Sequence, residues 1–429
     1  MKPQYPNLGL YRNPFEISAE RDIRNINEII EDVKRFCLEI REVEYGKIRK
    51  RFLQPLLRPT EGRICENLWI KGEKGVGKSI LLKKLAFDLY GKPDIVTLYI
   101  KVPVGGLDLT GIYQRSVEWL GTETFSKLAL TIYDTYFRKL SLNDAARILK
   151  VPSEELQQFT REIKKLVRKD PQLIFSFFSK NPSSIKELQK LGIPRGSIKL
   201  GSLSYQVSAR LVAEEHISKN FSDLIAYYPE NPEEAFMKIQ NVSGKQTVPM
   251  LLSFHRAASA FLKTRCIVIV LDEFEIAWRK MTDAGRMSTV VAIRAFHDAS
   301  QGNIKFIVTV TDDVFDVLPF DKYRHILDVI PKTTTGTNVV DVSKVDSSQA
   351  IKLVEFLLSQ EGIRARPAKF IHPFVPEVVS AVNKKVGGVT RDLVVEMRHI
   401  IEEAEEKGKK IIDKDALIEI SEGYKPYLE

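Results

Sequence analysis

The feature that most constrains this chain is the glycine-rich stretch Gly72-Glu73-Lys74-Gly75-Val76-Gly77-Lys78-Ser79. The apolar run Leu68-Trp69-Ile70 leads into it, and Ile80-Leu81-Leu82 opens an apolar helical pattern behind it. The spacing G-x-x-x-x-G-K-S is the phosphate-loop pattern, which requires a strand before the loop and a helix after it. The glycines let backbone N–H groups turn inward around phosphates, where side chains would block the approach. The helix that follows points its positive dipole end at the same anion. Gly72, Glu73, Lys74, Gly75, Val76, Gly77, Lys78, Ser79 and Ile80 are therefore the candidate nucleotide-binding residues. Lys78 would reach the β- and γ-phosphates, and Ser79 would place its hydroxyl on Mg²⁺.

A second motif, Ile267-Val268-Ile269-Val270-Leu271-Asp272-Glu273, completes the chemistry. A continuous β-branched run predicts a strand buried on both faces of a parallel sheet. Its two acids stand at the carboxyl end, the edge where open α/β sheets place ligands. Asp272 is the second candidate for Mg²⁺. Glu273 would orient, or take a proton from, the water that attacks the γ-phosphate. Together the two motifs predict ATP with Mg²⁺ as the ligand and hydrolysis as the reaction.

The chain has 429 residues, enough for two or three units at about 150 residues each. It is 44% hydrophobic and 28% charged, the balance of a globular protein with a sizeable core. No apolar run approaches the roughly 20 residues of a membrane helix. The start, Met1-Lys2-Pro3-Gln4-Tyr5-Pro6, has no apolar signal region, so a cytoplasmic protein without membrane contact is expected. Cys37, Cys65 and Cys266 are scattered and form neither a disulfide framework nor a metal pattern. A net charge of +9 is compatible with nucleic acid or an acidic partner.

In chain order, Asn13-Pro14-Phe15 is a turn with an aromatic anchor, and Ile23 to Ile40 carry an apolar stripe within a helical stretch over 20–57. Lys47-Ile48-Arg49-Lys50-Arg51 is a basic cluster, read as a solvated helix face with phosphate contact as the alternative. A helix is expected from Ser79 to Tyr90, a strand from Ile95 to Val102 and helix again over 107–140. Residues 141–262 read as a mostly helical insert broken by prolines. Within it, Ser141 to Leu156 is similar to a helix-turn-helix, with a weaker echo over 183–200. Glu154 and Glu155 sit where a recognition helix would meet phosphates, which favours a packed helical insert over DNA reading. Beyond the acids come a helix near 286–299, a buried strand at Lys305 to Val310, and a strand at Asn338 to Val342. Two helical stretches separated at Pro373 to Pro376 follow, and then helices over 391–407 and Asp413 to Ile420.

This order resembles the AAA+ ATPases over about 8–110 and 263–421. It is most similar to the origin-recognition and cell-division-control initiator ATPases and the related transposition-regulator ATPases. Asn13-Pro14-Phe15, Leu271-Asp272-Glu273-Phe274, Thr311-Asp312-Asp313 and Gly387-Gly388-Val389-Thr390-Arg391-Asp392-Leu393 carry that likeness. The resemblance implies a polar sensor at Thr311 or Asp312, beside the acids and the attacking water. It implies an arginine finger at Arg324, reaching a neighbouring subunit's γ-phosphate, and a lid arginine at Arg391 that contacts the nucleotide. It also implies an oligomer with shared ATP sites. Two departures stand out. Ser79 and Asp272 are 193 positions apart, longer than usual because of the insert. Little chain follows the lid, which leaves no room for an initiator's winged helix.

The expected fold is therefore α/β: an AAA+ P-loop core with a parallel sheet (61–140 and 263–343), preceded by a segment at 1–60. A helical insert (141–262) and a C-terminal helical lid (344–429) complete it. The expected function is ATP hydrolysis by a DNA-associated initiator-, loader- or regulator-like protein. The alternative is a signalling or scaffold ATPase that recognises a protein partner through its insert. A metabolic kinase fits less well, because paired acids and a lid arginine suit attack by water.

Overall fold

The computed structural model describes residues 3–15, 26–35, 39–57, 67–103, 107–139, 200–300, 303–312, 339–360 and 371–428. The helix-turn-helix-like stretch, its echo and Arg324 lie outside these residues. Five parallel strands form one sheet: β1 (Leu68–Lys71), β2 (Ile95–Lys101), β3 (Cys266–Asp272), β4 (Ile304–Val310) and β5 (Val339–Asp341). Their order is β2-β3-β4-β1-β5, so β3 and β4 lie inside the sheet and β1 is inserted between β4 and β5. Every residue of β3 and of β4 is buried, as the continuous apolar runs require.

Strand alternation divides the core between the two sheet faces. Ile267, Ile269 and Leu271 of β3 join one apolar cluster, with Phe306 and Val308 of β4. Cys266, Val268 and Val270 face the opposite cluster, with Leu68 and Ile70 of β1. That second face is covered by the helix after the glycine loop and by the N-terminal helices. α1 is Ile26–Arg35, α2 is Glu42–Ile48, α3 is Gln54–Leu57 and the loop helix α4 is Lys78–Tyr90. A short 3-10 turn, Glu39–Arg41, precedes α2, and a π-helical turn, Arg49–Leu53, separates α2 from α3. The described part of the helical stretch expected over 20–57 is thus several short helices.

The other face carries α5 (Leu109–Lys139), α6 (Leu200–Glu215), α7 (Lys219–Tyr227), α8 (Pro232–Gln240) and α9 (Thr247–Leu262). Phe125 of α5, Phe221 of α7 and Phe254 of α9 bury their rings in the same cluster as the β3 and β4 side chains. The described part of the expected insert is thus packed into the core of the sheet. The helical run over 109–139 is interrupted at Gly121, whose φ of 64° leaves the helical region. Glycine adopts that angle without a Cβ clash.

After β3 come α10 (Phe274–Lys280) and α11 (Asp283–Ala299). After β5, α12 (Ser347–Gln360), α13 (Pro376–Lys385), α14 (Thr390–Glu406) and α15 (Lys414–Ile420) enclose a separate apolar cluster. Tyr5, Leu8, Leu10 and Phe15 of the N-terminal segment are part of that cluster. Asn13, expected as a turn residue, fastens this segment by donating from Nδ2 to the Arg398 carbonyl at 3.2 Å. Among the described residues no helix is long and apolar enough to cross a membrane.

Candidate phosphate-binding site

Carbonyls of the loop between β1 and α4 are taken up by side chains and by backbone N–H groups of other segments. The carbonyls of Gly72 and Glu73 accept from Lys78 Nζ at 2.9 and 3.0 Å. That of Gly75 accepts from the Arg391 N–H at 3.0 Å, and that of Gly77 accepts from the N–H groups of Ile80 and Leu81. The Val76 carbonyl accepts from Arg41 Nη2 and, at 3.4 Å, from the Thr390 hydroxyl. Among the described residues, no backbone carbonyl accepts from the N–H groups of residues 73 to 79. They are backbone donors without a backbone acceptor at the start of α4, the kind of place that favours anions. Gly75 and Gly77 have φ of 86° and 102°, angles that favour glycine. A Cβ on Gly75 would also lie 2.9 Å from Val389 Cγ1.

The acids of β3 face this loop. Asp272 lies on the α4 side of the sheet, and its Oδ1 accepts from the Ser79 hydroxyl at 3.0 Å. Two hydroxyls that the sequence reading missed complete its surroundings. Tyr99 of β2 donates to Oδ2, and Thr309 of β4 donates to Oδ1 at 3.3 Å. Burial and then the neighbouring Asp272 charge hold the Tyr99 phenol in its protonated, donating form by raising its pKa. Ser79 and Asp272 together are an all-oxygen pair, the donor type Mg²⁺ selects, and so they fit that ion.

Glu273 stands at the turn from β3 into α10 with φ 57° and ψ 24°. A glutamate in this left-handed region is uncommon and costs on the order of 1–3 kcal/mol. The Glu273 N–H donates to Asp272 Oδ1 at 2.9 Å, and its carboxylate pairs with Lys101 Nζ at 3.3 Å. Lys101 ends β2 directly opposite Asp272 in the sheet register. Glu275 is a further acid, 8% exposed, with Oε1 at 3.5 Å from Lys78 Nζ. Burial lowers the pKa of Lys78 and raises that of Glu275, while the attraction between the two opposes both shifts.

The remaining expected residues fall at different distances from this centre. Asp312 pairs with Lys71 Nζ at 3.4 Å at the end of β1. The Thr311 hydroxyl accepts from Arg279 Nη2 at 3.2 Å. Of the threonines around the end of β4, Thr309 is the one bonded to Asp272. Arg391 sits in the first turn of α14, with its backbone against Gly75.

Arg41 is the largest omission from the sequence reading. It is 1% exposed and links the loop to two other segments. Its Nη1 donates to the Ser343 carbonyl at 2.7 Å and to Glu44 Oε1 at 3.2 Å, and its Nη2 donates to the Thr390 hydroxyl at 3.2 Å. Burial lowers the Arg41 pKa, and Glu44 opposes that shift. Only its placement one residue before α2, within a run rich in other charges, marks it in the sequence.

No family model, curated protein or solved structure matches the chain. What the site can do follows from its own residues. The site combines the loop N–H groups of residues 73 to 79, without backbone acceptors among the described residues, with the buried Lys78 ammonium and the three carboxylates of Asp272, Glu273 and Glu275.

Proposed function

We propose that the chain binds ATP with Mg²⁺ at this edge and hydrolyses it, as an AAA+-type ATPase similar to initiators and transposition regulators. The observation that carries the reading is the Ser79 hydroxyl, bonded at 3.0 Å to Asp272 at the end of β3. Ser79 ends a glycine loop whose N–H groups over 73–79 have no backbone acceptor among the described residues. Ser79 and Asp272 would hold Mg²⁺, and the ion would supply charge neutralisation to the phosphates. Lys78 binds phosphate oxygens. Glu273, held at the rim by its backbone turn and by Lys101, orients the attacking water and takes its proton. Arg391 reaches the nucleotide from the first turn of the lid helix. Arg324 completes a neighbouring subunit's site, which links hydrolysis to assembly.

Glu273→Gln keeps the shape of the side chain and removes the base. The variant should bind ATP as the wild type does and hydrolyse it about 10²–10⁴-fold more slowly. Steady-state phosphate release, read beside equilibrium nucleotide binding, tests this. Full hydrolysis by the variant would remove Glu273 from its role.

We assign the work of this ATPase to DNA. Support comes from the net charge of +9 and from Lys47, Arg49 and Lys50, all exposed around the end of α2. No carboxylate among the described residues pairs with these three side chains. Duplex DNA retention whose affinity falls log-linearly with salt is the expected behaviour. Absence of retention at low salt, with and without ATP, would leave the ATPase standing and remove its DNA role.

A further inference from the structure

The Lys78 ammonium has three N–H bonds to give. Two are spent on the loop's own carbonyls, Gly72 at 2.9 Å and Glu73 at 3.0 Å. The third side of the ammonium faces Glu275 Oε1 at 3.5 Å. A phosphate oxygen reaching Lys78 therefore meets a position that a carboxylate already claims.

Besides Lys78, the Glu275 carboxylate accepts from its own backbone N–H. Its Oε2 lies 3.5 Å from the Thr309 hydroxyl, and that hydroxyl is closer to Asp272, at 3.3 Å. A hydroxyl carries one hydrogen, so Thr309 cannot satisfy both acids at once. The Glu275 side chain is 11% exposed and that of Lys78 is 5% exposed, so water screens their attraction little. Lys78 is the cation that Glu275 depends on. When an anion draws on the ammonium, Glu275 is left beside a second negative charge in a poorly solvated place.

Resting on the ATPase reading above, we infer that Glu275 is a built-in competitor for Lys78, and that it lowers the affinity of the site for nucleoside di- and triphosphates. It is a positioning residue. It acts through Lys78, and its charge, rather than its shape, sets how readily the ammonium is given up. The device keeps the loop lysine neutralised before nucleotide arrives, and it keeps product from being held too tightly.

The test is the affinity of the whole chain for ADP and for a non-hydrolysable ATP analogue, measured calorimetrically for five proteins: wild type, Glu275→Gln, Glu275→Met, Lys78→Met and the Lys78→Met/Glu275→Gln double variant. Glu275→Gln keeps the size and removes the charge. It should bind both nucleotides about tenfold more tightly, the equivalent of a one-unit change in protonation energetics. Glu275→Met, neutral and of similar length, should move affinity in the same direction. Adding Glu275→Gln to a Lys78→Met background should give no gain, because the competitor then has nothing to compete for. A gain in affinity is a readout that damage to the fold does not produce. Unchanged or weaker binding by both neutral variants, with a wild type that binds, overturns the inference and leaves the ATPase reading intact. A folded wild type that binds neither nucleotide overturns the ATPase reading itself, and this inference with it.

Discussion

Helix α4 carries two buried lysines, each facing a carboxylate from another element, and the pairs are buried alike. Lys83 meets Asp32 of α1 at 2.7 Å, with side chains 6% and 11% exposed. Lys78 meets Glu275 of α10 at 3.5 Å, with side chains 5% and 11% exposed. Removing both charges of a pair from water costs several kcal/mol per ion at either place. At Lys83 a short hydrogen bond offsets that cost. At Lys78 the ammonium is drawn toward two loop carbonyls, and the carboxylate is left at a longer distance. The first pair fastens α1 to α4. The second is a looser arrangement, the one that we propose a phosphate enters. Equal burial thus supports a fastening in one case and an exchangeable contact in the other, and hydrogen-bond geometry separates them.

The largest effect that can break this comparison is on stability. Asp32→Ala leaves Lys83 buried without its carboxylate, and should cost about 3–5 kcal/mol of unfolding free energy. Denaturant unfolding measures it. The surviving folded fraction should lose far less nucleotide affinity than Lys78→Ala, because Asp32 meets α4 at Lys83, beyond the loop, and reaches the site only through its electrostatic effect on Tyr99. Lys78→Ala should show the opposite pattern. It should lose about 2–5 kcal/mol of nucleotide binding, the cost of truncating one partner of a buried charged contact. Its loss in unfolding free energy should be smaller than that of Asp32→Ala, since Glu275 can take up a proton once its partner is gone. If the two variants exchanged these signatures, the division into a fastening pair and an exchangeable pair would fail.

The same contrast explains what was legible in the sequence. The glycine loop, the β3 run with its two acids and the helix after the loop are local patterns, and the structure has them within a residue or two of the expected bounds. Asp272 and Ser79 were legible as partners because each belongs to a motif with known chemistry, and they meet at 3.0 Å across 193 positions. Tyr99, Thr309, Lys101 and Arg41 were not legible. Tyr99 and Thr309 reach Asp272 because β2 and β4 flank β3, and strand order is not written in the strands themselves. Arg41 meets Ser343 and Thr390 across more than 300 positions of chain, which no local period encodes. Gly121 is a different case. The glycine was visible inside a helical pattern, and it breaks the helix where a glycine signal would allow. The open choice between Thr311 and Asp312 also has a physical reason. Alternation along β4 sends Thr309 to the α4 side of the sheet, and the two later residues lie beyond the strand, beside Arg279 and Lys71.

A third lysine pair sharpens the comparison from the exposed side. Lys344 Nζ lies 3.0 Å from Glu73 Oε1, closer than Lys78 is to Glu275, yet the two side chains are 48% and 52% exposed. Distance alone would rank this contact above the one in the loop. Solvent screening and the entropy of holding two long side chains argue the reverse. Lys344→Ala should therefore change unfolding free energy by no more than about 0.2–1 kcal/mol, and that small change should shrink further as salt is raised. Denaturant unfolding at two ionic strengths measures both. A loss comparable with that of Asp32→Ala, insensitive to salt, would mean that contact distance outweighs burial here, and the Lys344 and Lys78 pairs would have to exchange places in the ranking.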